Sequence, residues 1–507
     1  MPVLTSVLSR YAKRVLTRGS ASGSFRRANR RSRRRAHGFH RVAVEVLEEL
    51  TLLSPTVVFS SGSCVGIGKD KDRATAVATD SSGNIYVTGH FSGTVNFNPN
   101  GNTSLTATGT TSVFVAKYDS NDDLIWVDQM GGNATTSSGI TDSGTGIALD
   151  ASGNVYVIGN FKDSSATFGS TILNNAGGGA AFVEKLNAAG TVLWAKIYGT
   201  SGEDPVGVGV DSSGNVYTLG VNWSASTDAD WTYDIFKFRS SGAAVWSESI
   251  YTHEPGLVNG FAVDGSGDVF VDGIFQGTVN FSPTGRPHDI TSPEVNDPSG
   301  FILKLNTSGK LQWVSAFIGQ TVDSSNGDVE LQSLVLDNSG NVIVGGNYVG
   351  TVDFNSGTTT LPTAGGGLLA KLNSSGGLVW AEGLVGSTSV SALAVDGSNN
   401  IYAIGVFSTT VAFNPSNSSQ IWTAAGPLDS FVLEVNASGS FDQVDTFGGP
   451  GSCYATAVSV ETNGTVVVVG GYEGTVNFDP NGNNGDGDMT SSSTTSYDLF
   501  ILQLSEL

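Results

Sequence analysis

Asp150-Ala-Ser-Gly-Asn-Val-Tyr-Val-Ile-Gly159 is the stretch of this 507-residue chain that recurs most clearly and decides the fold. Seven copies are present, and we number them repeats one to seven by their first residues, Asp80, Asp150, Asp211, Asp264, Asp337, Asp396 and Glu461. Asp, Gly and Asn favour tight turns, and the run that follows them is β-branched and aromatic. Each copy therefore predicts a turn that joins a first strand to a second strand.

A second phrase, Phe-Val-x-Lys-Leu-Asn-x-x-Gly-x-Φ-x-Trp with Φ apolar, follows the first six anchors and predicts a third and a fourth strand. Its copies begin at Phe114, Phe182, Ile235, Phe301, Leu368 and Phe431. An insertion resembling Gly-Thr-Val-Asn-Phe-Asn-Pro separates the second and third strands in five repeats, at 93–99, 277–283, 350–355, 409–415 and 474–480. Seven repeats of four antiparallel strands predict an all-β, seven-bladed β-propeller.

The seventh repeat contains a third strand at Phe500–Leu504 but no fourth strand after it. Residues 56–62 match the fourth-strand context of repeat five at 378–383. We therefore expect an N-terminal strand near Thr56–Ser60 to complete the last blade and to cover its sheet edge. The predicted organisation is a basic, largely disordered targeting segment over 1–55 and the propeller over 56–507.

The two phrases together resemble the SBBP-type repeats of bacterial β-propellers, whose pattern D-x-x-G-N-x-Y-V-x-G is followed by F-V-x-K-L-x-x-x-G-x-L-x-W. The resemblance covers about residues 56–507 and recurs seven times in register. It implies an extracellular or cell-surface protein that binds carbohydrate or protein.

Charge is distributed unevenly along the chain. Residues 1–41 contain 12 Lys and Arg and no Asp or Glu, whereas the remainder contains 13 Lys and Arg against 46 Asp and Glu. A segment with so many cations and no acid cannot form a packed core, so we expect it to be disordered or removed in the mature protein. Electrostatic binding of nucleic acid or anionic lipid by residues 26–35 is the alternative, but we predict no nucleic-acid partner.

Residues 44–54 resemble the L-E-x-R-x-L-L-S motif near the N-terminus of planctomycete secreted and surface proteins. Leu47-Glu48 and Leu52-Leu53-Ser54 match this motif, and Leu50 stands where the motif has Arg. The resemblance implies export from the cell. A short amphipathic helix over 38–53 is the alternative interpretation. No run of apolar residues in the sequence approaches the length of a membrane span.

The histidines argue against catalysis. The body of the chain contains His90, His253 and His288, and they occupy different positions in their repeats. An active site at a propeller axis would need His, Asp or Glu side chains that converge there. We therefore predict a non-enzymatic, monomeric binding or structural module that recognises an unidentified polysaccharide or protein, and a repeat scaffold for assembly with other proteins is a further interpretation. A propeller-based lyase or hydrolase with an axial active site is the alternative function.

Tryptophans supply the predicted ligand site. Those that close the second phrase are predicted to pack one blade on the next; they are Trp126, Trp194, Trp246, Trp313 and Trp380. Trp223 and Trp231 lie instead in repeat three, which lacks the Gly-Thr-Val insertion. Flat apolar rings with a polar edge are typical of sugar-binding surfaces. We therefore predict that Trp223 and Trp231 bind ligand and are dispensable for packing; Trp422 is a weaker case of the same kind.

Two further sites are candidates. Oxygen-bearing side chains alternate with glycines in the last insertion, and this pattern suits Ca²⁺; the predicted ligands are Asp479, Asn481, Asn483, Asp486 and Asp488. A solvated loop without a cation is the alternative. Cys64 and Cys453 lie in fourth-to-first-strand connections on either side of the predicted closure, where a disulfide would stabilise an exported protein. These connections and the insertions should emerge on one face, the loop face, where specificity would reside.

Overall fold

The computed structural model describes residues 73–504, apart from 99–100, 120–122, 134–140, 176–178, 224–230, 253–256, 283–285, 293–297, 321–326, 355–360, 363–364, 418, 462–463, 479–487 and 491–497. The predicted basic segment and the predicted closing strand near Thr56–Ser60 therefore lie outside the described residues, and both stay predictions.

All regular structure in the described residues is β-strand. The strands of repeats one and two are β1 (Arg73–Thr79), β2 (Ile85–Phe91), β3 (Thr94–Asn96), β4 (Ser104–Thr106), β5 (Ser112–Tyr118), β6 (Leu124–Met130), β7 (Asp142–Leu149), β8 (Val155–Phe161), β9 (Ser165–Phe168), β10 (Thr171–Asn174), β11 (Ala180–Leu186) and β12 (Val192–Tyr198). Those of repeats three and four are β13 (Glu203–Val210), β14 (Val216–Trp223), β15 (Trp231–Phe238), β16 (Ala244–Thr252), β17 (Leu257–Val263), β18 (Val269–Phe275), β19 (Thr278–Asn280), β20 (Asp289–Thr291), β21 (Ser299–Leu305) and β22 (Leu311–Gln320). The remaining strands are β23 (Val329–Leu336), β24 (Val342–Tyr348), β25 (Thr351–Asp353), β26 (Gly366–Leu372), β27 (Leu378–Val395), β28 (Ile401–Ala412), β29 (Trp422–Thr423), β30 (Asp429–Val435), β31 (Phe441–Phe447), β32 (Ser452–Val460), β33 (Val466–Glu473), β34 (Thr475–Asn477), β35 (Asp488–Thr490) and β36 (Asp498–Leu504).

The four predicted strands of a repeat pair in antiparallel order. Repeats one to three form separate four-stranded sheets, and β25 adds a fifth strand to the sheet of repeat four. Repeats five and six share one eight-stranded sheet because β27 runs for 18 residues from the fourth strand of one into the first strand of the other. Repeat seven contributes a three-stranded sheet, β32-β33-β36. The described residues thus form five sheets of four or more strands, not the seven separate sheets that were predicted.

Successive repeats pack through their first strands. Contacts join β1 to β7, β7 to β13, β13 to β17, β17 to β23, β23 to β27, β27 to β32, and β32 back to β1. The last contact includes a hydrogen bond of 2.9 Å between the hydroxyls of Thr79 and Ser459. The sheets therefore adopt a propeller arrangement.

The anchor turn is held by its own aspartate. In repeat two, Asp150 Oδ1 accepts the N–H groups of Ser152 at 2.9 Å and Asn154 at 3.0 Å. Asp150 Oδ2 accepts Asn154 Nδ2 at 2.7 Å and the Tyr156 hydroxyl at 2.9 Å. Four hydrogen bonds engage this carboxylate within the turn, which explains why the same residues recur at the anchor.

The fourth-strand tryptophans join neighbouring repeats, as their place in the phrase predicts. Trp313 Nε1 donates to the carbonyl oxygen of Ser374 in the next repeat at 3.0 Å. Gly376 of the same turn has φ +82°, and a Cβ there would come within 2.7 Å of the Trp313 ring. The turn therefore requires glycine both for its backbone conformation and for the approach of the ring.

Three aromatic rings fill each of four repeats beneath the loop face, and we call each trio a ring plug. Ring centroids within a plug lie 4.7 to 6.4 Å apart. The four plugs are Phe91, Phe97 and Phe114; Phe161, Phe168 and Phe182; Phe275, Phe281 and Phe301; and Phe407, Phe413 and Phe431. The middle ring of each plug follows the second strand, so the insertion serves to close the core. In repeat two a short hairpin, β9-β10, supplies this ring although the Gly-Thr-Val motif is missing.

Candidate ligand site in repeat three

Repeat three carries polar residues where the ring plugs of other repeats carry phenylalanine. The third-strand ring always pairs with a second-strand glycine, as Phe114 does with Gly89 and Phe182 with Gly159. In repeat three the residue paired with Gly220 is Asp234. The third copy of the second phrase therefore begins at Asp234 rather than at the predicted Ile235, since Lys237 holds the position of the phrase lysine.

The second-strand ring position is polar as well. Asn222 on β14 stands where Phe161 and Phe275 stand in the neighbouring repeats, and it pairs with Glu203 at the start of β13. Asn222 Nδ2 donates to Glu203 Oε2 at 3.3 Å and also contacts the Thr200 hydroxyl. Glu203 Oε1 lies over Gly220, the place that the phenylalanine ring takes in other repeats. Two carboxyls and an amide thus replace an apolar plug.

Glu203, Asn222 and Asp234 are buried close to the hydroxyls of Tyr198, Thr218 and Thr232. The exposed fractions of Glu203, Asn222 and Asp234 are 2%, 7% and 8%. Asp234 Oδ2 accepts the Thr232 hydroxyl at 3.1 Å. Tyr198, from the end of the preceding repeat, is 4% exposed and lies near Glu203 and Thr218. We call Tyr198, Glu203, Thr218, Asn222 and Asp234 the polar cluster.

The polar cluster contains two buried carboxyls, and none of the ion pairs found in the described residues reaches them. Burial raises the pKa of Glu203 to about 8, and the nearby negative charge of Asp234 adds to this effect, while the hydrogen bond from Asn222 opposes it. Burial and the charge of Glu203 likewise raise the pKa of the Tyr198 hydroxyl. The ion pairs found in the described residues join Lys185, Lys304 and Lys371 to aspartates elsewhere. Two buried carboxyls without a basic partner favour a shared proton or a bound cation.

The titration of Glu203 predicts a pH-dependent stability. The pKa of Glu203 is about 8 in the folded protein, so its proton is retained up to about that pH, whereas in the unfolded chain the carboxyl has its ordinary pKa of 4.5. Its contribution to the free energy of unfolding is therefore present at low pH and falls as pH rises through this window, by at most about 1.4 kcal/mol per pH unit. We expect Glu203→Gln to flatten this part of the profile in urea unfolding with EDTA. Asp488→Asn, which removes an exposed carboxyl, should keep the wild-type slope; an unchanged slope in Glu203→Gln would contradict the assignment.

The predicted tryptophan pair lies at the loop end of the same sheet. Trp223 and Trp231 are direct cross-strand partners at the ends of β14 and β15. The Trp231 side chain is half-buried and packs against the apolar core between repeats three and four. Because Tyr233, two residues on, stacks on Phe301 of repeat four at 6.2 Å, alternation places Trp231 on the repeat-four side of the sheet and Asp234 on the other. The prediction that both rings are dispensable for packing is therefore wrong for Trp231.

The sequence pattern did not single out one exposed aromatic residue near the polar cluster. Tyr251 is 63% exposed and pairs with Thr232, the residue whose hydroxyl binds Asp234. Cross-strand partners point to the same face of a sheet, so Tyr251 borders the polar cluster. Its sequence signal is weak, because Tyr251 follows the second phrase in a stretch that does not recur. The signal for Asp234 was stronger: it is an acid at a position where other copies have Phe or Leu.

The remaining candidates are dispersed. His90 is buried, with Nδ1 2.9 Å from the Ser143 hydroxyl, and His288 is exposed on the insertion hairpin of repeat four. His253 lies outside the described residues. Trp422 is half-buried between Phe413 and Phe441, at centroid distances of 5.6 and 6.1 Å, so it packs the core of its own repeat.

The predicted calcium loop and disulfide stay predictions. Of the five proposed cation ligands, only Asp488 is described, and it is exposed at the start of β35. The described residues contain no group of three or more His, Cys, Asp or Glu that could hold a metal. Cys453 is buried on β32, whereas Cys64 lies outside the described residues. In the part of the chain that the structure describes, no helix is long and apolar enough to cross a membrane.

Comparison with known proteins supports a propeller repeat protein. No protein-family model matches the chain. The chain is 24% identical over 534 residues to the uncharacterized WD repeat-containing protein L264 of Acanthamoeba polyphaga mimivirus, a match that covers 86% of this chain and 38% of that protein. The chain thus spans about two fifths of the length of the curated relative that it matches.

Solved structures resemble the chain only distantly. A Dyadobacter fermentans protein of unknown function has a TM-score of 0.36 at 8% identity, over 71% of this chain and 94% of that one. A Xanthomonas campestris gluconolactonase has a TM-score of 0.26 at 12% identity, over 65% and 89%. A Synechocystis apocarotenoid oxygenase mutant has a TM-score of 0.36 at 10% identity, over 83% and 92%. TM-scores this low carry no argument about function.

Proposed function

We propose that this protein is an SBBP-type, seven-bladed β-propeller that is exported to the cell surface or the extracellular space. It binds carbohydrate through its loop face without catalysing a reaction, and it acts as a monomer. The uninterrupted series of contacts among the first strands of all seven repeats supports seven blades. The resemblance of residues 44–54 to a planctomycete export motif supports export.

The single observation that carries the ligand site is the divergence of repeat three at its loop end. Four other repeats close this end with a ring plug, which is the cheaper way to fill a core because it buries no polar atom. Repeat three instead carries the buried polar cluster and the exposed ring of Tyr251 on one face of its sheet, and the cross-strand pair Trp223 and Trp231 at the end of the same sheet, with Trp231 on the opposite face. Departure from a local structural rule without a packing benefit is typical of a functional site.

Carbohydrate fits this end of repeat three better than a protein partner. Sugar rings present apolar faces that stack on aromatic side chains, and their hydroxyls both donate and accept hydrogen bonds. Tyr251 offers an accessible ring, and Trp231 is partly accessible. A protein partner typically buries about 800 Å² of each surface around a core rich in aromatic residues, whereas the accessible aromatic side chains described at this end of repeat three are Tyr251 and, in part, Trp231.

The double variant Trp223→Ala/Trp231→Ala tests this site. We expect polysaccharide binding, measured on a glycan array and then by titration calorimetry, to weaken at least tenfold, about 1.4 kcal/mol. The melting temperature should fall modestly, because Trp231 also packs against the core.

The matched control is Trp422→Ala in repeat six. Trp422 also follows a second strand but lies between two phenylalanines of its own repeat. We expect it to lower the melting temperature and to leave binding unchanged. Equal affinity of the wild type and the double variant for every captured glycan would exclude the proposed site.

A further inference from the structure

Four buried oxygen atoms in the polar cluster have no hydrogen-bond partner outside the cluster among the described residues; within it, Tyr198 lies close to Thr218, and Glu203 lies close to Asp234. The four atoms are Glu203 Oε1, Asp234 Oδ1, Thr218 Oγ1 and the Tyr198 hydroxyl oxygen. Leaving a buried polar atom unpaired destabilises the folded state, so native proteins rarely accumulate several at one place. A group that satisfies all four oxygens at once would remove this cost.

The four oxygens converge on one space. Thr218 and Gly220 lie on the same face of β14, and Asp234 pairs with Gly220 from β15. Glu203 Oε1 lies over Gly220 from the β13 side. Tyr198 approaches Thr218 and Glu203 from the preceding repeat. The space they border is the one that a phenylalanine ring occupies in repeats one, two, four and six.

The chemistry of these atoms points to a cation. All four are oxygens, two of them on carboxyls, and none of the ion pairs found in the described residues reaches this cluster. Hard divalent cations prefer oxygen ligands, and Ca²⁺ accepts hydroxyl, carboxylate and water oxygens in an irregular shell. A water molecule would satisfy hydrogen bonds but would bring no positive charge to the two neighbouring carboxyls.

We propose that Glu203 and Asp234, with Thr218 and Tyr198, bind a divalent cation of the Ca²⁺ type between repeats two and three. The cation occupies the position that aromatic rings fill in repeats one, two, four and six. It links Tyr198 at the end of β12 to the sheet of repeat three. Thr200, which contacts Asn222, is exposed to solvent at the edge of the cluster. This site is separate from the predicted loop at 479–488 and does not depend on the carbohydrate proposal.

Calorimetric titration of the EDTA-treated full-length protein with CaCl₂ tests the proposal. We expect Ca²⁺ to bind and to raise the melting temperature, and we expect Glu203→Gln and Asp234→Asn each to weaken the binding assigned to this site at least tenfold. Both substitutions keep the size of the side chain. Melting curves in EDTA will show whether the two variants fold.

Two control variants distinguish binding at the polar cluster from binding at other carboxyls. Glu184→Gln removes another fully buried carboxyl whose oxygens have no described partner, between repeats one and two, and should leave Ca²⁺ binding unchanged. Asp486→Asn/Asp488→Asn removes any contribution from the loop at 479–488 and should leave the Glu203-dependent binding in place. Mg²⁺ binding with the same dependence on Glu203 would also support a divalent site. No binding of either ion at millimolar concentration, or wild-type binding by both cluster variants, would overturn the proposal.

Discussion

Removal of residues 1–62 is expected to destabilise the protein by on the order of 5 kcal/mol, whereas removal of residues 1–50 should change its stability little. The sheet of repeat seven contains only β32, β33 and β36 among the described residues. In repeat six, the corresponding third and fourth strands, β30 and β31, are joined by six residue pairs. With a net contribution of about 1 kcal/mol for each backbone hydrogen bond, loss of a closing strand gives this magnitude.

Comparing the two truncations distinguishes the effect of losing the closing strand from the effect of losing the basic segment. Both remove the cations of residues 1–41, but only the longer one removes Thr56–Ser60. Thermal unfolding followed by circular dichroism gives the stability, and light scattering reports association through an uncovered β36 edge. If both truncated proteins unfold at the same temperature, residues 56–60 do not close repeat seven.

Phe182→Asp gives repeat two the aspartate that repeat three has at this position, Asp234. We expect it to lower the free energy of unfolding by about 4 kcal/mol or more. Phe182 is fully buried, and its ring centroid lies 4.7 Å from that of Phe168. The substitution removes a core ring, which typically costs about 3–5 kcal/mol, and buries a carboxyl among apolar atoms. Repeat two has no amide to pair with an aspartate at position 182, since Phe161 stands where repeat three has Asn222, and the acid at the Glu203 position, Asp142, already accepts the Gly132 N–H at 2.7 Å.

The control for this substitution is Phe182→Leu. Repeat five carries Leu368 at the same position, opposite Gly346, so the fold accommodates a leucine there. We expect Phe182→Leu to cost about 1 kcal/mol, as volume-similar apolar substitutions do. Denaturant unfolding of the two variants measures the difference. A loss for Phe182→Asp as small as that for Phe182→Leu would mean that the ring plug is not a tightly packed unit, and would weaken the case that repeat three is special.

The strands and turns of each repeat could be predicted from local sequence. The anchor turn is specified by Asp, Gly and Asn within five residues, and the hydrogen bonds of Asp150 stay within six residues of it. The fourth-strand tryptophan recurs at a fixed distance from the phrase lysine, so its packing on the next repeat was also predictable. The number of separate sheets was not, because nothing local shows that β27 continues without a break from one repeat into the next.

The candidate site, by contrast, depends on long-range packing that local sequence does not reveal. Trp223 and Trp231 were visible in the sequence because they interrupt a repeated pattern, yet only packing revealed that Trp231 is partly a core residue. The polar cluster draws Tyr198, Glu203 and Asp234 from three different strands in two repeats. Asp234 departs from the repeat in the sequence, but only the tertiary structure shows that burial brings it and Glu203 together with Tyr198 and without a basic partner among the described residues. Local interactions therefore specified the repeat, and long-range packing decided where this protein departs from it.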